Sequence, residues 1–201
     1  MVADIAYMQD QQHSINRMHT LFAQQRAAFR AAPMPDADSR IRQLSELKAA
    51  LLKHQDALIA AINSDFGRRS ADETKLAEIL PSVEGIKYAS KHIRRWMKPS
   101  KRKVGMAFQP GKAQVVYQPL GVVGIIVPWN YPLFLAIGPL VTAIAAGNRA
   151  LIKMSESTPA TAELLGRVLA EVFNEDHVAV VTGEAEVGVA FSQMALSLIH
   201  I

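Results

Sequence analysis

The feature that most constrains this chain is a long stretch without charge. No Asp, Glu, Lys or Arg lies between Lys112 and Arg149. A membrane-spanning helix needs about 20 consecutive apolar residues. Polar residues and prolines interrupt this stretch repeatedly, at Gln118, Pro119, Pro128, Asn130, Pro132 and Pro139. We therefore predict no membrane span and a buried β-sheet core instead.

Strands and helices are predicted to alternate from Val122 onward. The run Val122–Val127 is apolar throughout, as expected of a parallel strand that is buried on both faces. Five segments alternate: strand 122–127, helix 133–146, strand 150–153, helix 159–173 and strand 178–181. Thr158 is the expected N-cap of the second helix, with Pro159 at its first position. This βαβαβ order predicts an α/β fold in which residues 121–195 form part of a doubly wound, nucleotide-binding sheet.

Residues 1–99 are predicted to be helical. Apolar residues recur at helical spacing over 41–62 and again over 76–93. The second stripe contains Leu76, Ile79, Leu80, Val83, Ile86 and Ile93. Ser70–Glu73 has the sequence of a capping box, in which the Ser hydroxyl binds the amide of Glu73 and the Glu side chain reaches back. Pro81 lacks a backbone N–H and should bend the helix that contains it.

Residues 100–120 are predicted to form a β-hairpin. Two apolar segments, 104–108 and 113–117, flank the turn-forming sequence Gln109–Lys112. We expect both segments to be strands.

Basic residues cluster between positions 91 and 103 and contribute to the net charge of +4. The members are Lys91, Arg94, Arg95, Lys98, Lys101, Arg102 and Lys103. Such a cluster binds phosphate or nucleic acid in some proteins, and in others it is the solvated C-terminal end of a helix. Its one aromatic residue is Trp96, and no recognised nucleic-acid motif accompanies it. We expect no nucleic-acid partner.

The chain contains no cysteine. Disulfides, zinc–cysteine sites and thiol chemistry are therefore excluded within it, and we predict no metal site. Residues 1–7 do not combine a basic start with an apolar run, so no secretory signal is expected. A cytoplasmic location is the corresponding expectation.

Polar residues follow the first two predicted strands, at the edge where open α/β sheets bind ligands. After the first strand, Asn130 stands between Pro128 and Pro132. A turn stiffened in this way presents a fixed amide to an oxyanion, or the Asn simply binds local backbone groups. After the second strand, Lys153 and Glu156 are suited to binding ribose hydroxyls, or they belong to an ordinary polar loop.

A glycine-containing segment, Gly183–Gly188, follows the third predicted strand. Gly183 and Gly188 would let the backbone approach a ligand closely. The G-x-G-x-x-G fingerprint of dinucleotide sites is absent, so this pair alone is a weak signal.

Several motifs in register resemble the aldehyde dehydrogenase superfamily. They are the run Gln118–Pro132, the pair Gly147-Asn148, the set Lys153-x-Ser155-Glu156 and the pair Thr158-Pro159. The similarity extends from about residue 40 to residue 195 and is greatest to the coniferyl-aldehyde and fatty-aldehyde branch. It implies oxidation of an aldehyde, of a coniferyl-like aromatic kind, to the carboxylic acid with a nicotinamide cofactor.

The resemblance also implies residue roles. Asn130 would bind the oxyanion, Trp129 would line the nicotinamide side of the cofactor, and Val127 and Pro128 would also belong to the cofactor site. Lys153 and Glu156 would hold the adenosine ribose, while Gly183 and Gly188 would flank the adenine. Glu156 favours NAD over NADP, since its carboxylate repels a 2′-phosphate. The hairpin resembles part of the family's oligomerisation arm, and a homodimer is expected for the longer protein.

The chain departs from the family pattern in two places. Met154 replaces the usual Pro, and the chain lacks the Gly-Ser turn, the general-base Glu and the Cys nucleophile with which the family continues. We therefore expect an N-terminal, cofactor-binding fragment that is inactive alone. We also expect poor solubility, because half of the sheet would expose one strand edge and one apolar face. Residues 196–201 do not resemble the family and are predicted to be a non-native tail. The alternative is a non-catalytic fragment that binds nucleotide or a partner protein.

Overall fold

The first half of the chain is helical, as predicted. The computed structural model describes residues 2–201, and side chains from residue 8 onward; the expectation about a secretory signal in residues 1–7 falls outside the described side chains. Helix α1 spans Val2–Ala31, α2 spans Ala37–Lys53 and α3 spans Gln55–Phe66. The apolar stripe over 41–62 is thus divided between two helices that meet at His54. Gly67, with φ +75°, ends α3 in the left-handed conformation that glycine adopts most readily.

A π-helical turn stands within the next helical segment. Helix α4 (Ala71–Thr74) is followed by π-helical residues Lys75–Ile79 and then by α5 (Leu80–Trp96). Pro81 stands at the start of α5, directly after the π turn. The irregularity that the structure shows there is a π turn, and the bend at Pro81 stays a prediction.

The predicted capping box is wrong in its details. The Ser70 hydroxyl accepts a hydrogen bond from the amide of Asp72, at 3.2 Å, and not from that of Glu73. The Glu73 carboxylate instead accepts from the Arg69 guanidinium. The ion pair with Arg69 holds the Glu73 carboxylate away from the helix N-terminus.

The hairpin is present, but its strands differ from those predicted. Strand β1 (Ser100–Arg102) pairs antiparallel with β2 (Ala113–Val115), so that Ser100 faces Val115. The segment 104–108, predicted to be a strand, instead contains a 3₁₀ turn at Met106–Phe108. Met106 and Phe108 are 93% and 74% exposed. Their side chains are therefore not buried, and burial does not stabilise an extended strand in this segment.

The second half confirms the α/β fold with a parallel sheet. Its elements are β3 (Val122–Ile126), α6 (Pro132–Ala145), β4 (Arg149–Lys153), α7 (Pro159–Ala170), β5 (Val178–Val181), α8 (Ala185–Ser192) and β6 (Leu198–His200). The four strands lie in the order β5-β4-β3-β6, and all are parallel. Strand β6 comes from the segment predicted to be a non-native tail, and pairs Leu198 with Val123. The origin of that segment stays a prediction.

Helices cover both faces of this sheet. On one face α2, α5, α6 and α7 enclose the larger core, which includes Ile125 and Ile152. On the other, Met18 and Leu21 of α1 and Phe191 of α8 pack with sheet residues. The expectation of an open apolar face is therefore wrong, since α1 and α8 occupy it. Burial on both faces explains why β3 is a continuous apolar run.

Candidate functional site

Three chain segments meet at the carboxyl edge of the sheet. Val127 follows β3, Met154 follows β4 and Gly183 follows β5, because the strands run parallel. The amide of Val127 donates to the carbonyl of Lys153 at 2.9 Å, and the amide of Met154 donates to that of Val181 at 3.1 Å. These bonds place the predicted ligand-binding segments side by side.

The turn after β3 exposes two of the predicted site residues. Trp129 is 58% exposed, and Asn130 is exposed as well. Within the described residues the Asn130 side-chain amide makes no hydrogen bond, so it does not bind local backbone groups. The backbone carbonyl of Asn130, in contrast, accepts from Arg69 at 2.8 Å. The turn is thus fixed through its main chain.

The side chain of Arg69 holds this turn in place. Its side chain is only 8% exposed, and its guanidinium lies 4.2 Å from the ring centre of Phe66 and 4.5 Å from that of Tyr131. Cation–π contacts of this kind are stronger when solvent is excluded. Arg69 therefore connects α3 and the segment after it to the Asn130 turn.

A fully buried carboxylate completes the arrangement. Glu78, in the π turn, accepts from the amides of Leu133 at 2.7 Å and Phe134 at 3.1 Å. Its other oxygen lies 3.3 Å from Arg69. Burial raises the pKa of Glu78, while the two amides and Arg69 act in the opposite direction. Glu78 thereby caps the N-terminus of α6 and anchors Arg69.

Neither Arg69 nor Glu78 was predicted as a site residue. The sequence gave one weak indication that Glu78 could be buried, namely its position next to the apolar residue Ile79 in an amphipathic helix. A carboxylate there is normally solvent-exposed, since buried Glu is rare unless it is paired. The partners come from the first turn of α6 and from Arg69, and only the tertiary fold brings them together.

Lys153 and Glu156 form an ion pair at the end of β4. The Lys153 side chain is 4% exposed, and its ammonium donates to the carbonyl of Met154 at 2.8 Å and lies 3.6 Å from the Glu156 carboxylate. Burial lowers the pKa of Lys153, an effect that Glu156 and Glu184 partly offset. The Glu156 side chain remains 43% exposed. The carboxylate of Glu156 is thus paired with Lys153 and still partly accessible to solvent.

A cavity of about 520 Å³ lies between α7, β5 and the N-terminal part of α1. Its walls include Ser155, Glu156, Pro159 and Gly183. Gly183 has φ +141°, and a Cβ there would lie 2.5 Å from the Val187 side chain, so only glycine fits. The volume of the cavity lies within the range of small-molecule sites.

Gly188, the other predicted glycine, has a different position. It lies inside α8 and is not among the residues that line this cavity. The predicted turn Gly183–Gly188 is therefore shorter than expected, because α8 begins at Ala185. The role of Gly188 stays a prediction.

A second cavity of about 370 Å³ adjoins the Asn130 turn and is lined by Asp65, Phe66, Trp129, Ser157 and Thr158. Asp65 accepts from the amides of Ala160 and Thr161 at 3.0 and 2.8 Å, and from the Thr161 hydroxyl at 2.6 Å. It therefore caps α7. Thr158, the predicted cap, makes no side-chain capping bond.

Two kinds of feature are not found in the described part of the chain. No group of three or more His, Asp or Glu side chains there is placed to hold a metal ion. Among the same residues, no helix combines the length and apolar character needed to cross a bilayer.

Comparisons with known proteins agree on one family. Residues 5–197 match the model of the Aldehyde dehydrogenase family. A probable coniferyl aldehyde dehydrogenase of Pseudomonas aeruginosa is 64% identical over 194 residues, covering 96% of this chain and 41% of that protein. Another, of Caulobacter vibrioides, is 44% identical over 181 residues, covering 89% of this chain and 37% of that protein. The chain thus spans about two fifths of the length of these relatives.

Solved structures give the same fold. The substrate-bound AldH of Staphylococcus aureus has a TM-score of 0.86 at 30% identity, covering 90% of this chain and 39% of that one. A Mycobacterium tuberculosis aldehyde dehydrogenase complexed with NAD+ has a TM-score of 0.79 at 27% identity, covering 90% and 37% respectively.

Proposed function

Because the chain belongs to the aldehyde dehydrogenase family, we propose that it is the NAD-binding part of an enzyme that oxidises a coniferyl-like aromatic aldehyde to the acid. The observation that carries this proposal is the meeting of the Asn130 turn with the Lys153–Glu156 pair at one sheet edge. The names of the relatives from Pseudomonas aeruginosa and Caulobacter vibrioides support the aromatic substrate.

In this proposal Asn130 stabilises the oxyanion that develops when the aldehyde carbonyl is attacked. A fixed amide donor stabilises such a charge because it needs no reorganisation during the reaction. Two observations support the role: the exposed Asn130 amide has no partner among the described residues, and Arg69 holds the main chain behind it.

The cofactor in this proposal is NAD. Bound NAD supplies the acceptor for the hydride that leaves the aldehyde carbon. Glu156 and Lys153 bind the adenosine ribose, and Gly183 and Gly188 lie toward the adenine. On the other side, Trp129 lines the nicotinamide, and Val127 and Pro128 belong to the cofactor site. The NAD+ complex of the similar Mycobacterium tuberculosis enzyme supports a nicotinamide cofactor.

Glu156 also favours NAD over NADP in this proposal. Its carboxylate is partly exposed beside the cavity, where it would accept hydrogen bonds from ribose hydroxyls and repel a 2′-phosphate. Lys153 is already engaged with Met154 and Glu156, so its charge is not available for an additional phosphate.

Titration of this chain with AMP, followed by calorimetry, tests the proposal. Glu156→Gln should weaken AMP binding about tenfold, since hydrogen bonds to charged groups contribute about 1.5–3 kcal/mol. Glu46→Gln, at an exposed position far along α2, is the matched control and should leave binding unchanged. Failure of the unaltered chain to bind AMP would refute the proposed cofactor site.

One observation favours the second candidate, a fragment that binds a partner protein. The hairpin region exposes apolar side chains, including Phe108 and Tyr117 at 74% and 70%, and strand β2 is exposed along its length. Such an edge can pair with a strand from another chain. Co-elution with a longer member of the family, lost in Tyr117→Ser, would support this candidate. The homodimer of the longer protein and the cytoplasmic location stay predictions.

A further inference from the structure

Helix α1 reaches the cavity beside Glu156. Asp10, Gln11 and Ser14 line it together with Glu156 and Gly183, although they precede those residues by more than a hundred positions. No motif at positions 10–14 indicated a ligand-binding role. The contact follows from the path of α1 across the sheet.

The N-terminal part of α1 is held in place by specific contacts. Gln11 is 8% exposed, and its side-chain oxygen accepts from the amide of Glu184 at 2.9 Å. The same oxygen would lie 3.3 Å from a Cβ at Gly183, so glycine permits this close approach. Gln11 therefore joins α1 directly to the loop after β5.

A second set of contacts fixes the middle of α1. Met18 and Leu21 are 0% and 2% exposed in the core between α1 and the sheet. Gln25 donates to the carbonyl of Ala150 at 2.9 Å and to that of Glu175 at 3.0 Å. Because these contacts fix α1 against the sheet, residues 10–14 form a well-defined wall of the cavity.

The cavity is rich in carboxylates. Asp10, Glu156, Glu163 and Glu184 line it, and the nearby cation Lys153 is paired with Glu156. A surface of this charge suits a ligand that presents hydroxyl groups and disfavours additional phosphate. Asp10 brings a carboxylate to the cavity from a different element of the fold than Glu156 does.

We propose that residues 10–14 of α1 form one wall of the nucleoside site, where Gln11 fixes the loop after β5 and Asp10 helps exclude a 2′-phosphate. The proposal rests on the proposed function, because it takes the ligand of this cavity to be the adenosine part of NAD. The residues that discriminate between NAD and NADP then include Asp10 in the N-terminal helix as well as Glu156.

Binding of two probes, AMP and adenosine 2′,5′-bisphosphate, to variants of this chain tests the proposal. Asp10→Asn should tighten binding of the bisphosphate about fivefold relative to binding of AMP, as expected for removing one nearby charge in water. Gln11→Ala should weaken both probes about threefold, since one hydrogen bond is lost. The control Gln24→Ala, at an exposed position of the same helix, should change neither.

Hydrogen exchange supplies a readout that does not depend on variants. Addition of AMP should slow amide exchange at residues 8–14 and leave residues 26–31 of α1 unchanged. If AMP binds and Glu156→Gln weakens it, while Asp10→Asn and Gln11→Ala match the unaltered chain and residues 8–14 show no protection, this inference is wrong and the proposed function stands. If the unaltered chain binds no AMP, both are wrong.

Discussion

At the scale of single residues, Arg69 is the point where several parts of the site depend on each other. It contacts the carbonyl of Asn130, the carboxylate of Glu78 and the rings of Phe66 and Tyr131. A lysine would supply the charge without the planar fork that serves several partners at once. The position of the Asn130 turn therefore depends on a residue outside the motif that contains it.

Replacement of Arg69 by Ala should destabilise the chain. It would leave the buried Glu78 without its cationic partner, and loss of one partner of a buried pair typically costs about 3 kcal/mol. The two amides that still bind Glu78 reduce the expected loss to about 2 kcal/mol. Urea denaturation would measure this loss, with Arg68→Ala at the neighbouring exposed position as the control. Equal stability of the two variants would contradict the assigned role.

His177 should make the folded state sensitive to acid. Burial, assisted by Arg149, lowers the pKa of His177 to about 4 from 6.5. Because the folded-state pKa is lower, the neutral ring favours folding above pH 6.5, and this contribution is lost as the pH falls toward 4. The loss would be at most about 3 kcal/mol.

The test compares urea denaturation at several pH values within that interval. His177→Gln should show a weaker fall in the free energy of unfolding between pH 6.5 and 4 than the unaltered chain does. His19→Gln, at an exposed position, should leave the slope unchanged. A His177→Gln slope equal to that of the unaltered chain would show that another group is responsible.

At the scale of secondary-structure elements, the π turn Lys75–Ile79 changes which residues face inward. A regular helix was expected to bury Leu76 and Leu80, yet they are 69% and 49% exposed. A π turn inserts an additional residue and so rotates the side chains that precede it relative to those that follow. Glu78 is fully buried as a result, in reach of the N-terminus of α6.

The start of α7 depends on a residue from another helix. Asp65→Ala should lower the free energy of unfolding by about 2 kcal/mol, since it removes a cap with three hydrogen bonds to a charged group. Thr158→Val should cost less than about 1 kcal/mol, because the Thr158 hydroxyl binds only the carbonyl of Ser155. Urea denaturation would show which of the two variants loses more stability. A larger loss for Thr158→Val would support the sequence-based prediction that the Thr158 side chain caps α7.

At the scale of the whole molecule, the chain lacks the thiol that the proposed reaction needs. It contains no cysteine, and in the proposed reaction a cysteine outside this chain attacks the aldehyde. We therefore predict that the purified chain forms no NADH from NAD and coniferyl aldehyde. Absorbance at the NADH band measures this, with a longer member of the family as positive control. NADH formation that disappears in Asn130→Ala would contradict the prediction.

The exposed surface of the whole molecule bears on its solubility. The helices α1 and α8 cover the sheet face that was expected to be open, which removes one of the two reasons for predicting aggregation. The sheet still ends in β5 and β6, and unpaired edges favour association. The predicted poor solubility of the isolated chain therefore now rests on these edges and on exposed side chains of the hairpin region such as Phe108.

The sequence by itself determined the α/β class, the order of the first three parallel strands and the segments at their carboxyl ends. These follow from local signals, namely the apolar run Val122–Val127, the helix-starting Pro159 and the glycine at Gly183. Only the tertiary structure decided which side chains join those segments. Arg69, Glu78 and Asp65 each have at least one partner that lies 55 or more positions away, and no periodicity or local motif indicates such a pairing. The extent of the hairpin strands and the place of α1 at the cavity wall were likewise decided by burial and long-range contact, because these act between segments that are distant in the chain.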